Sequence, residues 1–239
     1  RRTSAWRQQE SRYRTLVEQL PAVIYILAAD ERATRLYFSP YLTRLTGYTP
    51  AEALAQGDHW LDWVHPEDRQ RVVDLDAETS ATGAVFRAEY RHLRKDGTYI
   101  WVLDECVPVR DDEGAIIVWQ GVVLDITSRV ESEEVQARLA AIVDSAEDAI
   151  ISSDLDTIIT SWNRGAEKLY GYTAQEMVGR SMTVLIPEGK IEGSLAARVA
   201  ATRAGDPGET FATVRQRRDG SLADVTVSLS PIRDHAGNV

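Results

Sequence analysis

Thr46-Gly47-Tyr48-Thr49-Pro50-Ala51-Glu52 and Tyr170-Gly171-Tyr172-Thr173-Ala174-Gln175-Glu176 are two versions of one phrase, 124 residues apart (171 − 47). Lys95-Asp96-Gly97 recurs as Arg218-Asp219-Gly220, and Pro108-Val109-Arg110-Asp111 as Pro231-Ile232-Arg233-Asp234, each 123 residues on (220 − 97; 231 − 108). Gly114 has its counterpart in Gly237. Three matches in one order at nearly one offset make the chain a tandem duplication. The fold of one copy is then the fold of both.

The first copy lays the unit out. Trp6, Tyr13, Leu16, Val17 and Leu20 recur at helical spacing among Arg, Gln and Glu, so residues 1–20 read as an amphipathic helix stopped by Pro21. Ala22–Ala28 and Thr34–Phe38 are short strands around the turn Asp30-Glu31-Arg32. Pro40 to Ala55 holds short helical pieces around Gly47, the second with Thr49 as cap and Pro50 at N1. His65-Pro66-Glu67-Asp68 opens a longer helix, with acids near its positive end. Val85–Arg94 alternates Phe86, Ala88 and Tyr90 against Arg87, Glu89 and Arg91. Lys95-Asp96-Gly97 is a hairpin signal, and Thr98–Val109 and Ala115–Ile126 are the last strands. Strands segregated from helices predict an α+β domain, a five-stranded antiparallel sheet with helices over one face.

GYT-x-x-E, then KDG or RDG, then Asp125-Ile126-Thr127 at the close: this ordered set, nearly complete twice, resembles the PAS sensory family, with a PAC-type C-terminal motif. The likeness covers nearly the whole chain and implies tandem domains at 21–127 and 148–239. The second is expected to lack its last strand, which the family pattern starts near Val239. Trp162-Asn163 is similar to the family's aromatic-Asn pair, whose amide holds the following turn; the first copy has Phe38-Ser39, with only a hydroxyl. The resemblance further implies a cytoplasmic bacterial signalling protein whose output, a histidine kinase or diguanylate cyclase, lies outside this stretch. No Met opens the sequence, and its ends read as cut from a longer chain.

Between the copies, residues 128–147 form a helical connector. Ser128-Arg129-Val130-Glu131 has capping-box spacing, and neither Gly nor Pro follows before Ala146. Val135, Leu139, Ile142 and Ala146 make a short apolar stripe, too short for a coiled coil on sequence grounds. Such a helix is marginal alone, so its half from Val135 on must pack against a domain, another chain, or both. The acidic first turns, with Glu131, Glu133 and Glu134, should stay solvated as a joint. Asp125, Ile126, Thr127, Val135, Leu139 and Ile142 are the candidate signal relay.

Composition narrows the functions. At 44% apolar and 27% charged the chain can build ordinary cores, and a net charge of −10 argues against nucleic acid as a partner. One cysteine, Cys106, excludes an internal disulfide and reads as a quiet buried thiol. No run approaches the roughly 20 apolar residues of a membrane span. His59, His65, His92 and His235 fall on different elements, so no metal site is expected. Neither long helix carries a histidine, which disfavours the haem of some family members, and Cys106 lies on a strand, which disfavours covalent flavin photochemistry. Noncovalent flavin or a small metabolite stays open. There is no phosphate-binding loop, no nucleophile elbow and no phosphoacceptor helix, so no catalytic residue is expected.

What remains is an interior between sheet and helices. Alternation points Tyr25, Leu27, Leu36 and Phe38 inward in the first copy, and Ile151, Ser153, Thr160 and Trp162, beside Asn163, in the second. These are a candidate pocket or plain core. Of Asp104 and Glu105 one must face the apolar side, either at a wet sheet edge or inside a pocket. Trp60 and Trp63 read as a helix packed on the core. Trp101, with Trp6, Tyr13 and Leu16, is the candidate homodimer surface. The function expected is a non-catalytic sensory region relaying a bound ligand or partner through the connector. The competing reading is a ligand-free dimerisation scaffold.

Overall fold

The computed structural model describes residues 19–30, 32–55, 60–188, 194–203, 209–234 and 236–237, with the backbone alone at 194–196 and 202–203. The expected N-terminal helix with Trp6, Tyr13 and Leu16 lies outside these residues except at its end, as do His59 and His235. The chain divides into two units between Glu134 and Val135.

In the first unit β1 (Val23–Ala28) and β2 (Arg35–Phe38) lead into α1 (Tyr41–Thr46), α2 (Pro50–Ala55), a 3-10 turn (Trp60–Trp63) and α3 (Pro66–Thr82). Then come β3 (Phe86–Leu93), β4 (Tyr99–Arg110) and β5 (Ile116–Asp125). The strands run β2-β1-β5-β4-β3, all antiparallel, so the last strand lies at the centre of the sheet. Phe86, Ala88, Tyr90 and His92 of β3 and Ile100, Val102, Asp104 and Cys106 of β4 face inward, as period-two alternation requires. Asp68, Val72 and Thr79 are buried on α3 at spacings of four and seven. Arg91 clamps Asp68 through Nε and Nη2, at 2.9 and 3.0 Å, tying that helix to β3. From the sequence alone Asp68 has only a dipole role.

The second unit takes up α4 (Thr127–Ser145) from Val135 onward. It continues with β6 (Ile151–Ser153), β7 (Ile159–Trp162), α5 (Arg164–Tyr170), α6 (Ala174–Met177) and a 3-10 turn at Met182–Leu185. α7 (Ser194–Arg203), β8 (Glu209–Gln216) and β9 (Leu222–Leu229) complete it. β6 pairs with β7 and β8 with β9; among the described residues no strand joins the two hairpins as β5 joins β1 to β4. The second sheet is correspondingly smaller.

The repeated phrases meet in space. The Lys95 amide donates to the Thr46 carbonyl at 2.9 Å and its ammonium reaches Glu52 at 2.6 Å; the Arg218 amide donates to Tyr170 at 2.9 Å and its guanidinium reaches Glu176 at 2.8 Å. Thr49 with Glu52, and Thr173 with Glu176, exchange reciprocal cap bonds. The exposed ion pairs contribute little. The backbone contact instead sets where the helices end against the sheet, and Gly47 permits it, with φ +83° and Lys95 Cβ only 3.1 Å from where its own Cβ would stand.

The inward placement of Leu36, Thr160 and Ser153 and the cap at Ser128 are corrected. Leu36 is 51% exposed and Thr160 is also exposed, because each copy carries a bulge at the same place: Leu27 pairs with Arg35 and Ser153 with Ile159, skipping one residue. The slip turns Arg35 and Ile159 inward instead, and Ser153 faces solvent. The connector begins at Thr127, where the Asp125 carboxylate accepts the Thr127 amide at 2.9 Å, so Ser128 lies inside the first turn and does not cap it. Val135, Leu139 and Ile142 are 57, 58 and 57% exposed, and Glu131, Glu133 and Glu134 are exposed as well.

Candidate functional site

A cavity of about 170 Å³ lies in the first unit, between the sheet's inner face and the helical layer. Its apolar lining includes Val23, Leu27, Phe38, Leu42, Leu45, Phe86 and Val123, with Trp60, Trp63 and Trp119. Those tryptophans are the aromatic turn read as core packing plus one ring from β5; they pack on the core and line the cavity at once.

Asp104 stands in this lining, 7% exposed. Its Oδ1 accepts the Tyr25 hydroxyl at 2.8 Å and its Oδ2 the Tyr90 hydroxyl at 2.9 Å. Tyr25 reaches it because Gly121, its partner across the β1–β5 ladder, leaves room; a Cβ there would lie 2.1 Å from the tyrosine ring. Burial pushes the Asp104 carboxyl up to about 6, against the lowering effect of the two hydroxyls and with the help of nearby Asp76. Asp76, on α3, also lines the cavity and is raised by burial. Among the described residues no Arg or Lys is paired with either carboxyl. Cys106, two residues on from Asp104, is buried and its thiol pushed up to about 11, so it is inert at neutral pH.

His92 lines the same cavity, its ring 5.7 Å from that of Trp63. It is 7% exposed, and its buried Nδ1 has no hydrogen-bond partner among the described residues. Burial lowers its pKa to about 4, so it is neutral at physiological pH. Arg35 lies 4.7 Å above the Trp63 ring and donates to the Ala53 carbonyl at 2.8 Å. Tyr25, Leu27 and Phe38 are thus brought together with Asp104, and Leu36 is not. Sequence reading missed His92, Asp76 and Arg35. His92 could have been found by extending the Phe86-Ala88-Tyr90 alternation one step, and Asp76 by the spacing of four from Asp68 and Val72. Nothing in the sequence signals the bulge that turns Arg35 inward.

The second unit differs. Ile151 and Trp162 belong to its core cluster, while Ser153 and Thr160 do not reach the interior. Asn163 spends all four hydrogen bonds on backbone: its Oδ1 accepts Ile150 N and Ala166 N at 2.8 and 2.9 Å, and its Nδ2 donates to Val143 O and Asp148 O at 2.9 and 3.0 Å. It caps α5 and grips the last turn of α4, leaving nothing for a ligand. Ser39 does part of this work in the first unit, accepting Ile24 N at 3.0 Å.

The other end of α4 is held by the sheet. Ile126 N donates to Trp101 O at 2.9 Å, and Trp101 N to the Thr127 hydroxyl at 3.1 Å. Arg129 bonds Glu89 of β3 at 2.7 Å. Trp101 itself is half-buried, with the Arg91 guanidinium 5.6 Å from its ring. One strand, β4, therefore carries both Asp104 in the cavity and Trp101 on the helix.

Two family models described as PAS fold match residues 35–123 and 137–239. The chain belongs to the PAS family, as two domains in tandem, and such domains are sensory, non-catalytic modules. It is 28% identical to the sensor protein FixL of Bradyrhizobium diazoefficiens over 56% of its own length and 27% of that protein's. It is 28% identical to the probable diguanylate cyclase DgcE of Escherichia coli over 72% of its length and 16% of that protein's. A solved N-terminal domain of a Marinobacter aquaeolei diguanylate cyclase with PAS/PAC sensor is 28% identical, covering 45% of this chain and 97% of that one with a TM-score of 0.41. The chain thus spans about a quarter or less of these two curated relatives. Among the described residues no helix is long and apolar enough to cross a membrane, and no group of His, Cys, Asp and Glu could hold a metal ion.

Proposed function

We propose that this is the sensory region of a larger cytoplasmic signalling protein, in which the first unit holds a small ligand and α4 carries the consequence toward a histidine kinase or diguanylate cyclase output. The observation that supports it is β4. A ligand that alters the bonds of Asp104 acts on the strand whose Trp101 backbone holds the start of α4, three residues away. The response is a shift between two arrangements of that joint, driven by whatever difference in affinity the ligand has for them. The relatives named above, a sensor protein and a diguanylate cyclase, support the kind of output.

The cavity is small for a prosthetic group. At about 170 Å³ it falls below the roughly 300 Å³ at which drug-sized sites begin. It suits a compact metabolite better than haem or flavin, and two buried carboxyls are poor company for either. The exposed stripe Val135, Leu139 and Ile142 supports a homodimer through α4. The scaffold alternative is separated by titrating the whole chain with metabolites while following tryptophan fluorescence. Saturable change favours the sensor, and dimerisation without it the scaffold. In the natural protein with its output, Gln136→Pro should uncouple signalling from the first unit while both units stay folded. Unaltered signalling would refute the relay.

A further inference from the structure

The cavity's polar groups define a ligand chemistry. Asp104 and Asp76 both line it, burial disfavours both as anions, Asp76 adds the field of a like charge at Asp104, and among the described residues neither carboxyl is ion-paired. Two guanidinium groups, Arg32 and Arg35, also line the cavity, and among the described residues neither is paired with Asp104 or Asp76. Protein interiors normally pair such groups or replace them, because an uncompensated buried charge is costly. Around them stand aromatic faces, among them Tyr25, Tyr90, Trp60 and Trp119. A cation is attracted to such faces, most strongly where water is excluded.

A second observation points to a ligand independently. His92 lines the cavity, and its buried Nδ1 lacks a hydrogen-bond partner among the described residues, although the Leu93 backbone lies close enough to the ring to favour its charged form. Buried polar atoms are almost always satisfied, and an exception calls for something that satisfies it. His92 is four residues along β3 from Ala88, the ladder partner of Asp104, so the two polar points are about 13 Å apart at the backbone. They mark the two ends of one occupant.

We propose that this cavity takes a small aromatic amine, bound as its ammonium ion at Asp104 and Asp76, with its ring along the tryptophan and tyrosine walls and a hydroxyl at the far end for His92. The proposal rests on the ligand-binding reading above and narrows it. The ammonium supplies the missing countercharge, Asp104 accepts from it beside the two tyrosine hydroxyls, and the neutral imidazole accepts the distal hydroxyl.

Three probes of one shape test it on the whole chain, by calorimetry and thermal shift: phenethylamine, phenethyl alcohol and phenylacetate. Phenethylamine should bind saturably, the alcohol about tenfold more weakly, and phenylacetate not at all. Tyramine should exceed phenethylamine about fivefold, a gain lost in His92→Phe. Asp104→Asn should weaken phenethylamine about tenfold and the alcohol by much less; should that variant not fold, Asp76→Asn makes the same comparison. Alcohol or phenylacetate binding as tightly as the amine would overturn the amine assignment and leave a ligand cavity. Silence of every probe at about 10 mM, with the wild-type chain folded, would overturn both.

Discussion

The Tyr25 hydroxyl reaches Asp104 at 2.8 Å by lying across the one position in β5 that has no side chain, Gly121. A strand, a ring and a carboxylate are fixed together by that omission. Gly121→Ala places a methyl 2.1 to 2.4 Å from Tyr25 ring atoms, so the ring must leave Asp104 or the ladder must open. We expect a loss of about 2–4 kcal/mol in urea unfolding of the first unit, and a smaller loss when Tyr25→Leu is already present.

Asp104 and His92 titrate in opposite senses over nearly one window. Burial, with Asp76, raises Asp104 to about 6 from an ordinary value of 3.8, so the folded state binds the extra proton and stability falls as pH rises through that range. Burial, with some help from Arg94, lowers His92 to about 4 from 6.5, so the unfolded state binds the extra proton and stability rises over much the same range. Each amounts to about 3 kcal/mol, and together they nearly cancel. Asp104→Asn should expose the His92 slope, making stability climb by about 1.4 kcal/mol per pH unit relative to wild type between pH 4 and 6. The same variant should be the more stable protein at pH 8. Parallel dependence of stability on pH for the two proteins across that range would refute the Asp104 assignment.

Asn163→Ala removes two bonds accepted by Oδ1 and two donated by Nδ2 to backbone carbonyls at once. It should cost the second unit about 3 kcal/mol, against about 1 kcal/mol in the first unit for Ser39→Ala, which breaks one good bond. Denaturant unfolding followed separately at Trp162 and at the first unit's tryptophans distinguishes them.

Leu139→Arg places a charge in the middle of the exposed α4 stripe. If that stripe pairs chains, sedimentation should show dimers lost at concentrations where the wild type is paired, with the melting temperature of the units changed by no more than about 1 °C. Equal sedimentation of the two proteins would remove α4 from the interface.

Much of this was legible in the sequence, and the reasons are local. The duplicated phrases betrayed the fold because they touch each other: Thr46 with Lys95, Tyr170 with Arg218. Asp104 stood out because alternation forces one of two adjacent acids inward. Leu36 and Thr160 were misplaced for a single reason, since a period-two pattern cannot register an extra residue opposite the same rung in both copies. Ser128 had the spacing of a cap and lost the position to Asp125, whose carboxylate arrives earlier in the chain. His92 is one of four histidines scattered along the sequence, and its strand neighbours Phe86, Ala88 and Tyr90 fix its direction.

The braces formed by Lys95 and Arg218 have a consequence for how such a chain can change. They fasten helix to hairpin from outside, on backbone atoms and surface charges, and make no demand on what fills the interior. At the positions of Asp104 and His92 the second copy has Val227 and Arg215, yet its braces are the same. Frame and filling are therefore separable inheritances: either copy's lining can drift to a new chemistry without renegotiating the scaffold, and transplanting one copy's inward residues into the other becomes a defined piece of engineering.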